Sequence, residues 1–240
     1  MQAEKPHSVS LKIKLAVISA VVILSSAILA FGMTKILHTE RTVSVRGLAE
    51  KEVDADMAVW HLSFSTGSND LQELQKSIIE KTTKVENFLT DHTLTTNDYT
   101  ILAPEINDAT VNLYSDPEKR MYNYIGKQTI LIRSENVQAV KQAAEDTLEL
   151  LGKGVSLDSN YDNKVQYYFD SLNKIKPEMI ADATENARKA AEQFAHDSGS
   201  KVGKIKTATQ GLFSIEDAAP GLEYKKNVRV VTTVVYNLID

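Results

Sequence analysis

The sequence predicts an α+β protein: a largely antiparallel sheet with packed helices, preceded by one N-terminal transmembrane helix. Three observations predict it. Leu15 to Met33 is a run of nineteen residues without a charge. Downstream, period-two alternation marks strands, while spacings of three and four mark helices between them. The resulting order, β-β-α-β-β-α-β-α-β-β, joins its strands mostly by hairpins rather than by crossovers.

At about 1.5 Å per residue the uncharged run reaches roughly 28 Å, close to the hydrocarbon thickness of a bilayer. A secretory signal carries a shorter apolar stretch of about 7–15 residues and a small-x-small cleavage site. The best such site here is Ala30-Phe31-Gly32, so an uncleaved anchor is expected, with a cleaved signal as the alternative. A core helix would have to be apolar all round at the start of a soluble chain. Lys5, Lys12 and Lys14 precede the run, and Lys35, Arg41 and Arg46 follow it. With so short a tail, the usual outcome is N-terminus inside. The expected organisation is a short cytoplasmic tail (1–14), the anchor (15–33), a linker (34–41) and an exported domain (42–240), periplasmic or extracytoplasmic.

Within that domain, Thr42 to Gly47 alternates as a short strand. In the next strand Ala58, Trp60, Leu62 and Phe64 share one face, with His61, Ser63 and Ser65 on the other. Asp70 with Glu73 resembles a capping box for a helix whose stripe is Leu71, Leu74, Ile78, Val85, Phe88 and Leu89. Thr100 to Tyr114 and Tyr122 to Ile132 read as a hairpin turned at Ser115–Glu118. Ser134 is the expected cap of a second helix, with Val137, Val140, Ala144, Leu148 and Leu151 inward and Gly152 as its stop. Val165, Tyr167 and Phe169 alternate as a strand. Pro177 suits the first turn of a third helix, with Ile180, Ala183, Ala187, Ala190, Ala191, Phe194 and Ala195 inside and Gly199 at its end. Its alanines allow close approach to a sheet, with Phe194 filling the remaining space. Lys204–Ile215 and Asn227–Leu238 close the domain as a strand pair. The last strand is apolar on both faces, Val228, Val230, Val234 and Leu238 against Val231, Val235 and Ile239. It is therefore central in its sheet or buried by a partner chain.

Composition excludes several functions. Net charge is −5, divided as +3 over residues 1–35 and −8 over the rest, and an acidic surface repels phosphate backbones, so nucleic acid is not an expected partner. With no cysteine, disulfide frameworks, thiolate metal sites and cysteine nucleophiles are excluded.

The motifs in this order resemble the SIMPL domain family, also called DUF541, which includes a periplasmic immunogen. Thr42-Val43-Ser44-Val45-Arg46-Gly47 is similar to its opening "I-x-V-x-G" strand, followed here by the acidic stretch Glu50 to Asp56. Tyr124-Ile125-Gly126-Lys127-Gln128-Thr129-Ile130 with Arg133-Ser134-Glu135-Asn136-Val137 is similar to its "Y-x-x-x-Q-x-I-x-V-R-x-x-D-x-V" segment. Ala181-Asp182-Ala183 through Ala195, then Gly199 to Ile205, resembles its signature helix and "G-x-x-L-G-x-I" exit. The resemblance spans about residues 40–240, although Asp158 to Lys176 is richer in tyrosine than the family pattern. It implies an exported or membrane-anchored domain, ring-like oligomers in at least some members, and links to envelope or oxidative stress. It implies no catalytic residues.

The residues themselves point the same way. His7, His38, His61, His92 and His196 form no HExxH or His-x3-His pair, so helical metal chelation has no support. His61 with Asp54 and Asp56, and His196 with Asp197, read as polar surface and helix-end residues. No G-x-S-x-G occurs, and Gly152-Lys153-Gly154 lacks phosphate-loop spacing. Glu50 to Asp56 does not match a calcium loop and reads as a solvated turn. No catalytic, cofactor-binding or metal residue is expected, and no cofactor. The candidate interface residues are Tyr161, Tyr167 and Tyr168, whose rings give large contact area at small entropic cost, with Val231 and Val235 of the last strand. The expected function is non-enzymatic: self-assembly as a homo-oligomer, or binding of a protein partner, by a domain tethered to the membrane. A small-ligand module using a cleft beside the Ala-rich helix is the alternative, and an unrecognised hydrolase the third reading.

Overall fold

Residues 11–36, 41–111, 120–158 and 163–240 are described by a computed structural model. Their elements in chain order are α1 (Leu11–Ile36), β1 (Thr42–Asp54), β2 (Met57–Ser68), α2 (Leu71–Asp91), β3 (Tyr99–Ile101), β4 (Glu105–Asp108) and β5 (Tyr124–Ser134). There follow α3 (Val137–Glu145), α4 (Leu148–Gly152), β6 (Gln166–Tyr168), α5 (Leu172–Asp197), β7 (Lys201–Gln210), β8 (Ser214–Asp217) and β9 (Lys225–Ile239). The α+β class holds, but the strands form two antiparallel sheets rather than one. In the first, β9 lies between β1 and β7, with β8 also beside β9; the second runs β3-β5-β2-β6, with β4 also beside β5.

The division begins at Ala55-Asp56. Instead of folding back on β2, β1 pairs with the C-terminal β9 along its whole length, from Thr42↔Asn237 to Asp54↔Lys225. Opposite charges reinforce this register at its open end, Glu50 with Arg229 at 3.2 Å and Glu52 with Lys225 at 2.9 Å. The acidic stretch is thus the end of a paired strand and not a solvated turn. Central placement of β9 explains its two apolar faces: Val228, Val230 and Val234 are buried, and Val231 and Val235 on the other face are half-buried.

The long helix α5 covers the first face. Met179, Ala183, Ala187, Ala191 and Ala195 recur at four-residue spacing and are all buried, so its backbone descends onto β1. At Gly47 the descent is complete: a Cβ there would lie 1.8 Å from the Ala183 carbonyl oxygen and 2.5 Å from the Ala187 nitrogen. No large side chain fits so close a contact, and Phe194, expected to fill it, is 58% exposed. The helix also begins earlier than expected, placing Pro177 inside it. Asp56, on a distant strand turn, holds the two residues that lead into it, accepting the Asp170 and Ser171 N–H groups at 2.6 and 2.8 Å. Burial pushes the Asp56 carboxyl up, but hydrogen bonds from Ser171 and Asp170 outweigh it and hold the pKa below its ordinary value.

The second sheet is packed by α2, α3 and α4. Trp60, Leu62 and Phe64 of β2 and Ile130 and Ile132 of β5 meet Val85, Phe88, Leu89 and Val140 in one buried cluster. Asp70 caps α2 by accepting the Gln72 and Glu73 N–H groups. Glu73 does not close a reciprocal box: it accepts the Ser68 hydroxyl, and Ser68 Oγ accepts the Asp70 N–H. Asn136, not Ser134, caps α3; Ser134 Oγ accepts the Asn136 N–H and donates to Asp98. The expected single helix breaks at Asp146-Thr147. The break turns Leu150 into the core and leaves Leu148 and Leu151 exposed.

The described side chains of α1 cover residues 14–29, and the large apolar ones among them, Leu15 to Leu29, are exposed. Among the described residues no helix is long and apolar enough to cross a membrane. The side chains of residues 30–33 of the expected anchor, the 1–10 tail, His7, His38 and the Ser115–Glu118 turn lie outside the described residues.

Gly47→Ala is expected to destabilise the domain by about 2–3 kcal/mol, because the added methyl meets backbone that cannot rotate away. Thermal unfolding of the full chain in mild detergent should show a Tm lower by about 5–10 °C. An unchanged Tm would mean that α5 does not sit on β1 as described.

Candidate functional site

A polar cleft opens where the two sheets meet, beside the edge of β2. β6 pairs with β2 only from Met57↔Tyr168 to Val59↔Gln166. The next pairing on that edge is the bridge Phe64↔Leu157. Between these pairings the described residues beside β2 are Asp158, whose N–H donates to the Ser63 carbonyl at 2.9 Å, and residues 163–165. Side chains of β2 add further bonds to these residues. Trp60 Nε1 donates to the Asn163 carbonyl at 2.8 Å, Ser63 Oγ donates to Asn163 Oδ1 at 2.8 Å, and Ser65 Oγ donates to Asp158 at 3.0 Å.

The resulting cavity is about 870 Å³, within the range of sites that hold small molecules. Its walls carry Trp60, Tyr167 and Tyr168 from the second sheet, Asp217 from β8, Glu223 from the approach to β9 and Lys226 from β9 itself. Tyr167 meets Tyr224 edge to face at 6.3 Å, and the Lys141 ammonium lies 4.3 Å from the Tyr224 ring. Burial, aided by the charges of Glu145 and Glu223, pushes the Tyr167 phenol up to about 12. At neutral pH it is therefore a neutral hydrogen-bonding group, not an anionic nucleophile. Lys226 is buried and paired with Asp217. The arrangement suits binding: aromatic surface with charges of both signs.

The predicted interface residues do not form one patch. Tyr167 is half-buried in the cleft and Tyr168 is 45% exposed at its rim, its hydroxyl donating to Gln166 at 2.6 Å. Tyr161 lies outside the described residues. Val231 and Val235 stand on the face of the first sheet opposite α5, aligned with Leu48 and Ser44 of β1. Leu48 is 38% exposed on that face. Beside the Ala-rich helix, α5 is packed to backbone contact with β1 at Gly47, which leaves no ligand space at that contact.

The titratable groups singled out in the sequence are engaged separately. Asp54 lies 3.4 Å from the Lys225 ammonium, Asp56 accepts the Asp170 and Ser171 N–H groups ahead of α5, and His196 is exposed 3.3 Å from Asp197. Gly152-Lys153-Gly154 is a helix stop, in which Gly154 at φ +81° takes the left-handed position. Among the described residues no group of three or more His, Asp or Glu side chains is placed to hold a metal ion.

One histidine has a role that its sequence context does not signal. His92 ends α2, with Nδ1 2.9 Å from the Phe88 carbonyl and Nε2 3.1 Å from Asp146 at the α3–α4 break. Both ring nitrogens can donate at once only in the imidazolium. Burial lowers its pKa, but the Phe88 hydrogen bond and the Asp146 carboxylate outweigh this and raise it above the ordinary value. Just beyond, Thr93 stands at φ 63°. Its N–H and that of Leu94 close a Schellman motif on Thr90 and Leu89. Gly199 and Gly154 occupy the corresponding positions after α5 and α4.

Two expectations follow. A raised folded pKa contributes stability that is present below the unfolded value and lost as pH rises through the folded one. His92→Gln should thus cost about 1 kcal/mol at pH 5.5 and clearly less at pH 8.5, read from thermal melts at both pH values. Thr93→Gly should stabilise by about 1 kcal/mol, because a β-branched residue is strained in the left-handed region; a lower Tm would contradict the assigned conformation.

The family model described as "SIMPL: Protein of unknown function (DUF541)" matches residues 43–236, from early β1 to late β9. No curated protein matches the chain.

Proposed function

The chain belongs to the SIMPL (DUF541) family, and on that premise we propose that it is a membrane-tethered extracytoplasmic domain acting by contact rather than catalysis. It self-assembles or binds a protein partner at the cell envelope, in a process connected with envelope or oxidative stress. The observation that carries this reading is the face of the first sheet opposite α5, where Leu48, Val231 and Val235 line up across β1 and β9. An apolar strip on a central strand gains from a covering surface. The tether rests on the uncharged Leu15–Met33 run and on the exposed apolar side chains of α1, which water solvates poorly. The junction cleft supports a second reading, a small-ligand sensing module, because it brings aromatic and charged groups around one cavity.

Light scattering coupled to size-exclusion chromatography, on the full chain in mild detergent, tests the assembly reading. The expected result is a discrete oligomer that Val235→Lys reduces to smaller species without lowering Tm. A wild-type monomer that binds no envelope protein contradicts it. The tether predicts that the chain stays with membranes through an alkaline carbonate wash; release into the supernatant removes that part.

A further inference from the structure

Besides the aliphatic groove of about 460 Å³ between α2 and the short strands β3 and β4, the described residues leave two strand edges open in the first sheet. There β1 and β7 flank β9. Both run antiparallel to it, hence parallel to each other. The Leu238 N–H donates to the Arg41 carbonyl, which fixes the phase of β1. Backbone groups of Val43, Val45 and Gly47 point to β9, while those of Thr42, Ser44 and Arg46 point away from it. Among the described residues none bonds to these outward groups. The next outward carbonyl, Leu48, accepts the Asn186 amide of α5 at 2.9 Å, so the helix overhangs this edge. Ala190 and Phe194 follow Asn186 at four-residue steps on the same flank, and Phe194 is 58% exposed.

The β7 edge is complementary. Its Ile205 is 51% exposed. Val43 and Ile205 stand opposite the same residue, Tyr236, on either side of β9, so they share one height and the α5 face. Ala187 and Ala191 cluster with Val43 and Tyr236. Phe194 therefore stands near that height as well, since helical side chains lean toward the N-terminus. Charge agrees: β7 carries Lys201, Lys204 and Lys206 and no acid, whereas β1 and α5 together hold eight acidic against six basic side chains.

We infer that the β7 edge of one copy of this chain adds to the β1 edge of another, beneath the overhang of α5, with Ile205 of the first under Phe194 of the second. The contact is head-to-tail, each copy giving one edge and receiving the other. It rests on the self-assembly reading given above and names the surface. Pairing of two β1 strands would bring two α5 helices to about 5 Å, closer than the roughly 8–10 Å that packed helices need. The head-to-tail contact sets successive α5 helices three strands apart, roughly 14 Å. Pairing of two β7 strands would oppose lysines and leave Phe194 uncovered. In a nanodisc that holds one chain, both edges stay open.

Disulfide trapping tests this, because the chain has no cysteine of its own. Ser44 and Thr207 both stand opposite Val235, on either side of β9. Within a chain they are two strands apart, about 10 Å, beyond the reach of a disulfide; across the inferred contact they are neighbours. The full chain carrying Ser44→Cys and Thr207→Cys, oxidised in mild detergent, should give a ladder of linked multiples on a denaturing gel, and neither single variant should. Adding Phe194→Lys should lower the linked fraction roughly tenfold, while Phe194→Leu retains it, with circular dichroism unchanged in both. No ladder from a chain that light scattering shows to be oligomeric overturns the inference and leaves self-assembly standing. No ladder from a monomeric chain overturns both. Linked dimers from Ser44→Cys alone also overturn it, by pairing β1 with β1.

Discussion

The contact between the α5 backbone and β1 at Gly47 is the constraint on which the first sheet depends. A helix whose inward face is alanine at every fourth position can approach a strand until main-chain atoms touch, provided that the strand offers a glycine beneath it. Once that contact forms, the remaining choices narrow. β1 lies under α5, β9 beside β1, and the residues leading into α5 are held where the Asp56 carboxylate accepts the Asp170 and Ser171 N–H groups. The strand turn at Ala55-Asp56 thereby joins both sheets to the helix.

The functional surfaces are consequences of the same geometry. Because α5 takes one face of the first sheet so tightly, ligand space there is lost, and the open apolar strip must lie on the opposite face. The junction cleft lies elsewhere, beside the edge of β2, which β6 pairs only from Met57 to Val59. The groove beside α2 arises from two short strands where a longer one would have covered the helix. The cleft and the groove are places where regular pairing stops early, whereas the apolar strip lies on fully paired strands.

Much of this was legible in the residues. The alternation of Trp60, Leu62 and Phe64, the Asp70 cap, the alanine stripe and the central position of the last strand all follow from period and local chemistry. What was not legible depends on partners distant in sequence. Nothing near Glu50 says that Arg229 and Lys225 will stand opposite it, so a paired strand looked like a solvated turn. Pro177 resembles a first-turn residue, and only a carboxylate more than a hundred positions away shows that the helix starts before it. Leu148 and Leu151 fit a helical stripe until the break at Asp146, held by His92 and Gln142, rotates them outward. Thr93 adopts a glycine's conformation with no sequence signal. Of the candidate contact residues, Val231 and Val235 follow from strand pattern, whereas the cleft around Tyr167 depends on Trp60, Asp217 and Lys226, all distant from it in sequence.

The central claim, that α5, β1 and β9 form one cooperative unit locked by backbone-to-backbone packing, is tested most directly by hydrogen exchange. It is measured by mass spectrometry on the full chain in lipid nanodiscs. The account predicts that residues 43–49, 179–195 and 228–236 share the slowest exchange, while β7, exposed over most of its length, exchanges faster. Early exchange of α5 residues 179–195 while β1 and β9 remain protected would contradict it.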